Sequence, residues 1–170
     1  MLTTQLSGLL QRIATSEEEN MEETARLLAQ AAAGQGNIYF AAFGEMKSIS
    51  INAQFAAEPF PSFQVWTSDV QLTSADRIWI ITRSSANSEA ITLAEKLAAD
   101  FIPFSVLASE PASEENKLST LAYTYISLKL TKGLLPAEDG SRIVLPYALS
   151  TMFVYEAVKM KLDEILFGEE

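Results

Sequence analysis

The chain has 170 residues, 48% hydrophobic and 20% charged, which excludes intrinsic disorder and allows one folded domain burying about 70% of its unfolded surface. Acidic residues number 22 against 12 basic, a net charge of −10, and no basic stripe with interleaved aromatics occurs, so a nucleic-acid partner is excluded. Cysteine and histidine are both absent; disulfides, thiolate zinc sites, cysteine nucleophiles, serine–histidine triads and the commonest metal ligand go with them. What chemistry there is must run on carboxylates, lysine, tyrosine or hydroxyls, and neither a metal site nor a cofactor is expected. The longest apolar stretches, such as Ile78 to Ile81, are too short to cross a bilayer. Met1 to Gln5 lacks the basic start and apolar core of a signal peptide, so the expectation is a cytoplasmic protein with no membrane partner.

The first 34 residues read as helices. Leu2, Leu6, Leu9, Leu10 and Ile13 fall at three- and four-residue spacing on one stripe. Thr15 or Ser16 can cap a second helix, with Glu19 completing a capping box and Glu17 to Glu19 favoured by the helix dipole. Gly34 and Gly36 end it. From Asn37 onward, apolar runs alternate with helical patterns. Strands are expected at Ile38 to Phe43, Phe63 to Trp66, Ile78 to Ile81, Pro103 to Leu107 and Tyr123 to Leu130. Helices are expected near 46–57 and 87–99, with a polar loop around 109–116 and a closing helix over 147–166. The two long apolar runs lack polar alternation, which suits strands covered on both faces. The order implies an α/β protein, a three-layer doubly wound parallel sheet of flavodoxin-like architecture with N-terminal helices. Residues 1–170 are read as one domain, 1–34 supplying the N-terminal helices and 37–170 the α/β core and closing helix.

In such sheets ligands bind beyond the carboxyl ends of the strands, at the switch point, which directs attention to two loops. Thr82-Arg83-Ser84-Ser85-Ala86-Asn87-Ser88 gathers four hydroxyls, an amide and a guanidinium where helix-start amides point outward. That combination suits an anion, although Ser and Asn also serve as plain helix caps. Phe43-Gly44-Glu45-Met46-Lys47-Ser48 again follows a strand and opens a helix; Gly44 permits a tight turn, and Lys47 and Ser48 could reach the same anion. Neither loop is a dinucleotide fingerprint or a P-loop.

Together the loops resemble the sugar isomerase (SIS) domain, and within it the phosphoheptose isomerase group, together with uncharacterised bacterial proteins sharing this domain. That family has N-terminal helices, a strand, a G-N-G-G-S-type loop and a helix carrying F-A-A-E; here stand Gly44-Glu45-Met46-Lys47-Ser48 and Phe55-Ala56-Ala57-Glu58. Its next strand ends in an S-x-S-G-N-S-type loop; here Ser84 precedes Ser85-Ala86-Asn87-Ser88. The resemblance implies a phosphorylated-sugar ligand held by Gly44, Lys47, Ser48, Thr82, Ser84, Ser85, Asn87 and Ser88. It implies Glu58 as the acid/base of aldose–ketose isomerisation, and a homo-oligomer, dimer or tetramer.

The departures bear on mechanism. Met46, Lys47 and Ala86 replace loop glycines, Gln54 stands where the isomerases have a histidine, and the closing helix offers Tyr147, Ser150, Tyr155 and Glu156 in place of glutamine and histidine. The leading expectation is therefore a phosphosugar-binding protein like phosphoheptose isomerase, with Tyr155 or Glu156 as the acid partner of Glu58. The alternative is a non-catalytic phosphosugar-sensing module. A flavodoxin-like nucleotide binder fits less well, because the hydroxyl cluster follows a middle strand.

Overall fold

The computed structural model describes residues 1–168. Two helices, α1 (Leu2–Ser16) and α2 (Glu18–Ala33), precede the strands β1 (Ile38–Ala42), β2 (Phe63–Val65), β3 (Arg77–Ile81), β4 (Phe104–Ala108) and β5 (Thr124–Ser127). Between and after them come α3 (Lys47–Phe55), α4 (Ser88–Ala99), α5 (Lys117–Leu121), the short hairpin β6 (Leu135–Pro136) and β7 (Arg142–Ile143), and α6 (Tyr147–Phe167). The five long strands form one parallel sheet in the order β2-β1-β3-β4-β5.

Alternate residues of each strand face opposite layers. Phe40, Trp79, Ile81, Leu107 and Ile126 pack with α2, α3 and α6, while Ile78, Ile80, Phe104 and Val106 pack with α4 and α5. Each such buried side chain contributes about 1.5–3 kcal/mol. Phe40 is the hub of the first layer, meeting Phe60, Phe63, Trp79 and Tyr155 edge-on at centroid distances of 4.9, 4.9, 5.3 and 6.1 Å. Polar side chains fix how α2 lies on the sheet. Thr24 Oγ1 stands 3.0 Å from Ser105 Oγ and 2.9 Å from Thr124 Oγ1, and Thr124 Oγ1 donates to Ser105 Oγ at 2.7 Å. This closed triangle satisfies three buried hydroxyls that apolar surroundings would otherwise penalise.

The doubly wound reading holds, and several local expectations are corrected. No capping box forms: α1 runs through Ser16, whose Oγ bonds back to the Arg12 carbonyl at 2.7 Å, a bond that competes with capping. Gly34 ends α2 at φ −97 rather than in the left-handed region. Gly36 is needed for a different reason, since a Cβ there would run into the Ala75 backbone. The fifth strand stops at Ser127, because Lys129 turns to φ 51; Leu128 and Leu130 are apolar because they are buried, not because they are strand. Beyond the polar loop lies α5, capped by Asn116 Oδ1, which accepts Ser119 N–H at 3.1 Å. The hairpin turns on Asp139-Gly140, with Gly140 at φ 84.

Candidate functional site

The chain runs outward from β1 to β2, then crosses back to β3, so the switch point lies between β1 and β3. Phe43 N–H donates to Ile81 O and Thr82 N–H to Leu107 O, each at 3.0 Å, tying together the loops that leave β1, β3 and β4. Gly44 adopts φ +61 with open space where a Cβ would sit. A cleft of ≈ 360 Å³ opens there, lined by Phe43, Gly44, Glu45, Thr82, Arg83, Ser84 and Asn87. Arg83 is the cation of the cleft. Its Nη1 lies 3.3 Å from Glu45 Oε1 and its guanidinium carbon 5.8 Å from the centroid of Tyr147, the first residue of α6. Both partners of this ion pair are substantially exposed, so the pair is weak and Glu45 can be exchanged for another anion.

Of the residues singled out from sequence, Gly44, Thr82, Ser84 and Asn87 border this cleft, whereas Lys47, Ser48, Ser85 and Ser88 are not among its walls. Ser48 Oγ is turned back to Glu45 O at 2.9 Å. Ser88 borders a separate cavity with Trp66, Ser68 and Lys96. Asn87 also caps α4, its Oδ1 accepting Ala90 N–H at 3.0 Å, and Ser84 Oγ accepts Ala86 N–H at 3.1 Å. The plain capping role and the ligand role therefore share one loop.

Glu58 sits elsewhere. Nine residues of α3 carry the chain about 13 Å back from the cleft, towards the level where β2 starts beside Ile38. There Glu58, Asn52, Tyr155, Glu156 and Lys159 border a second cavity of ≈ 290 Å³. Lys159 is 5% exposed and donates to Asp163 at 2.7 Å and to Glu58 at 3.4 Å. The Asp163 bond holds its ammonium above the ordinary lysine range against the opposing effect of burial. Tyr155 is 1% exposed, and its buried Oη, turned towards Asn52, makes no hydrogen bond of ordinary geometry among the described residues. Burial, reinforced by the Glu156 charge, pushes this phenol up, so it stays protonated and can donate. Asn52 and Lys159 were not chosen from sequence, and Arg83 was read only as the guanidinium of the anion-suited loop; Asn52 and Lys159 occupy helical positions like many others, which carry no signal that could have found them. Among the described residues no group of three or more Asp or Glu side chains is disposed to hold a metal ion.

The switch-point sheet and its flanking helices define a protein with the SIS-type fold. The sugar isomerase domain of an RpiR transcription factor from Sphaerobacter thermophilus superposes with a TM-score of 0.63 at 11% identity, covering 98% of this chain and 92% of that one. The Vibrio vulnificus NanR protein, complexed with ManNAc-6P, gives 0.59 at 14% identity over 96% of this chain and 65% of that one. Residues 1–166 match the family described as "Domain of unknown function (DUF2529)", and the chain belongs to that family. The uncharacterized protein YwjG of Bacillus subtilis (strain 168) is 31% identical over 168 residues, 98% of this chain and 96% of the relative. Among the described residues no helix is long and apolar enough to cross a membrane.

Proposed function

We propose that the chain is a phosphosugar-binding domain of the sensing or regulatory kind, which takes the phosphate end of its ligand in the cleft between the loops after β1 and β3. The carrying observation is the convergence of Arg83, the Thr82 and Ser84 hydroxyls and the left-handed turn at Gly44 on a cleft at the switch point. Arginine matches phosphate geometry, and exchanging Glu45 for a phosphate replaces a weak exposed pair with charge-assisted bonds. Solved proteins of the same fold include a transcription factor's sugar isomerase domain and a protein complexed with ManNAc-6P. The reading treats the whole chain as one binding domain. The test is a thermal-shift and calorimetric screen over phosphorylated sugars with wild type and Arg83→Ala. A ligand at 100 times its dissociation constant stabilises by about 2.7 kcal/mol, and Arg83→Ala removes most of that shift. Absence of any shift across the panel overturns the reading.

A second reading, isomerase activity, is favoured by one observation: Tyr155, whose hydroxyl makes no hydrogen bond of ordinary geometry among the described residues, lines a cavity with Glu58. There the Glu58 carboxylate takes a proton from the hydroxyl-bearing carbon beside a carbonyl while Tyr155 Oη gives one to the carbonyl oxygen, forming an enediol. Glu58 then returns its proton to the former carbonyl carbon while the tyrosinate takes one from the neighbouring hydroxyl, which leaves the carbonyl shifted by one carbon and both residues restored. Turnover lost in both Glu58→Gln and Tyr155→Phe supports it; turnover surviving either one removes it. Association with a second copy belongs to the same proposal. Ile51 and Phe55 of α3 and Met160 of α6 are 58%, 77% and 66% exposed, on helices that pack side by side. Light scattering on wild type and Phe55→Ser reads the oligomeric state directly.

A further inference from the structure

The cleft at the switch point carries one charge of each sign, because Glu45 and Arg83 are the two ionisable residues of its wall. Arg83 Nη1 meets Glu45 Oε1 at 3.3 Å, with the side chains 61% and 43% exposed. Both are held at their bases. A single 3-10 turn, Gly44–Met46, places Glu45 directly after the left-handed Gly44, and its carbonyl accepts Ser48 Oγ at 2.9 Å. The Arg83 guanidinium lies over the Tyr147 ring, 5.8 Å from its centroid. A phosphate that takes Arg83 therefore strips Glu45 of its partner and leaves a carboxylate beside a dianion. Like charges in a partly desolvated cleft oppose each other more strongly than in bulk water. A ligand that brings a cation of its own removes the conflict.

We infer that the ligand class is an amino-sugar phosphate: Arg83 takes the phosphate, and Glu45, released from the ion pair, takes the ammonium. The inference deepens the phosphosugar reading of the cleft and rests on it. A plain sugar phosphate exchanges one ion pair for another and strands the carboxylate. An amino-sugar phosphate keeps both wall charges paired, and the exposed Glu45 side chain is free to swing towards the amine. Discrimination then comes from the penalty on the wrong ligand as well as the gain on the right one. The chain's overall charge of −10 also attracts cations, but that attraction is screened beyond about 8 Å at physiological salt, whereas a contact with Glu45 is not.

The experiment is calorimetric titration of wild type, Glu45→Gln and Arg83→Ala with glucosamine 6-phosphate and glucose 6-phosphate, which differ only in an ammonium for a hydroxyl. Slightly acid pH keeps the amine protonated, and about 0.15 M salt screens the distant charges. Glu45→Gln keeps the size and removes the charge; because the pair is exposed, the variant melts as wild type does. Wild type is expected to bind glucosamine 6-phosphate about five- to tenfold tighter than glucose 6-phosphate. Glu45→Gln is expected to gain affinity for glucose 6-phosphate and to lose the preference. A preference that survives in Glu45→Gln stems from the overall charge and overturns the inference, as does a wild type that binds the two equally. In either case loss of binding in Arg83→Ala keeps the phosphosugar reading. A wild type that binds neither compound overturns the inference, and absence of binding across the wider panel of phosphorylated sugars overturns the reading beneath it.

Discussion

Lys159 Nζ lies 3.4 Å from Glu58 Oε2 and 2.7 Å from Asp163 Oδ2, so the carboxylate marked out by its F-A-A-E setting is tethered to a buried cation at the far end of α3. The Lys159 side chain is 7% exposed against 36% for Asp163 and 83% for Glu58. Lys159→Met keeps the apolar stem and leaves two carboxylates that water can reach. The expected cost is about 1.5–3 kcal/mol, that of a hydrogen bond to a charged group, read by urea unfolding. Because Asp163 raises the folded pKa above the ordinary 10.5, the contribution is complete below that pH. It fades only as pH climbs through the raised value, so the gap between wild type and variant narrows only in strongly alkaline solution.

Glu17 gives the opposite use of pH. It is 4% exposed at the junction of α1 and α2, accepts Asn20 Nδ2 at 2.6 Å and faces Lys129 at 3.9 Å. Burial raises its pKa above the usual 4.5, outweighing the Asn20 bond and the Lys129 charge. A raised carboxylate pKa means that ionisation costs stability: the contribution is whole below pH 4.5 and is lost as pH rises through the folded value. Glu17→Gln is expected to melt above wild type at pH 7 and to lose that advantage as pH falls towards 4. Equal melting temperatures at pH 7 would show that Lys129 and Asn20 fully compensate the buried charge.

Much of the architecture is legible in the sequence for a physical reason. Strands covered on both faces must be apolar throughout, and Ile38 to Ala42 and Ile78 to Ile81 announce themselves on that account. The same rule misleads at Leu128 and Leu130, where burial under helices looks like strand. The hairpin carried a readable signal, Asp139-Gly140, but its strands are two residues each, too short for alternation to register. At the candidate site, loop composition singled out Thr82, Ser84 and Asn87, which border the cleft. It could not reveal which hydroxyls turn back onto their own backbone, as Ser48 does, because that depends on local geometry.

Gly44→Ala isolates backbone strain from packing. The glycine holds φ +61 with nothing near its missing Cβ, so the penalty is the left-handed conformation alone, about 1–2 kcal/mol. If the loop relaxes to avoid that strain, the cleft changes shape. The expected result is weakened phosphosugar binding with a modest drop in melting temperature. Gly36→Ala serves as the contrast, since its Cβ would meet the Ala75 carbonyl; overpacking there should cost at least ~1–3 kcal/mol, read as a larger fall in melting temperature.

Thr24→Val tests the hydroxyl triangle with almost no change of shape. Ser105 and Thr124 keep their mutual 2.7 Å bond and lose a third partner, for an expected cost of about 0.5–1.5 kcal/mol. The double variant Thr24→Val with Thr124→Val should be less destabilised than the sum of the singles, because the two residues share one network. Strict additivity would mean that the triangle carries no coupling.

The pairing of α2 with α6 constrains how the chain can be made. Residues 18–33 and 147–167 pack directly on one another across one face of the sheet, although the ribosome delivers the second long after the first. Until α6 emerges, Leu28 and the inner side chains of Phe40 and Trp79 lack their final cover, and a growing chain presents this apolar face to its surroundings. The opposite layer, built from β3, α4 and β4, can close much earlier from neighbouring segments. Newly made chains should therefore depend on chaperone shielding of the α2 side, and premature termination before Tyr147 should leave an aggregation-prone half-covered sheet.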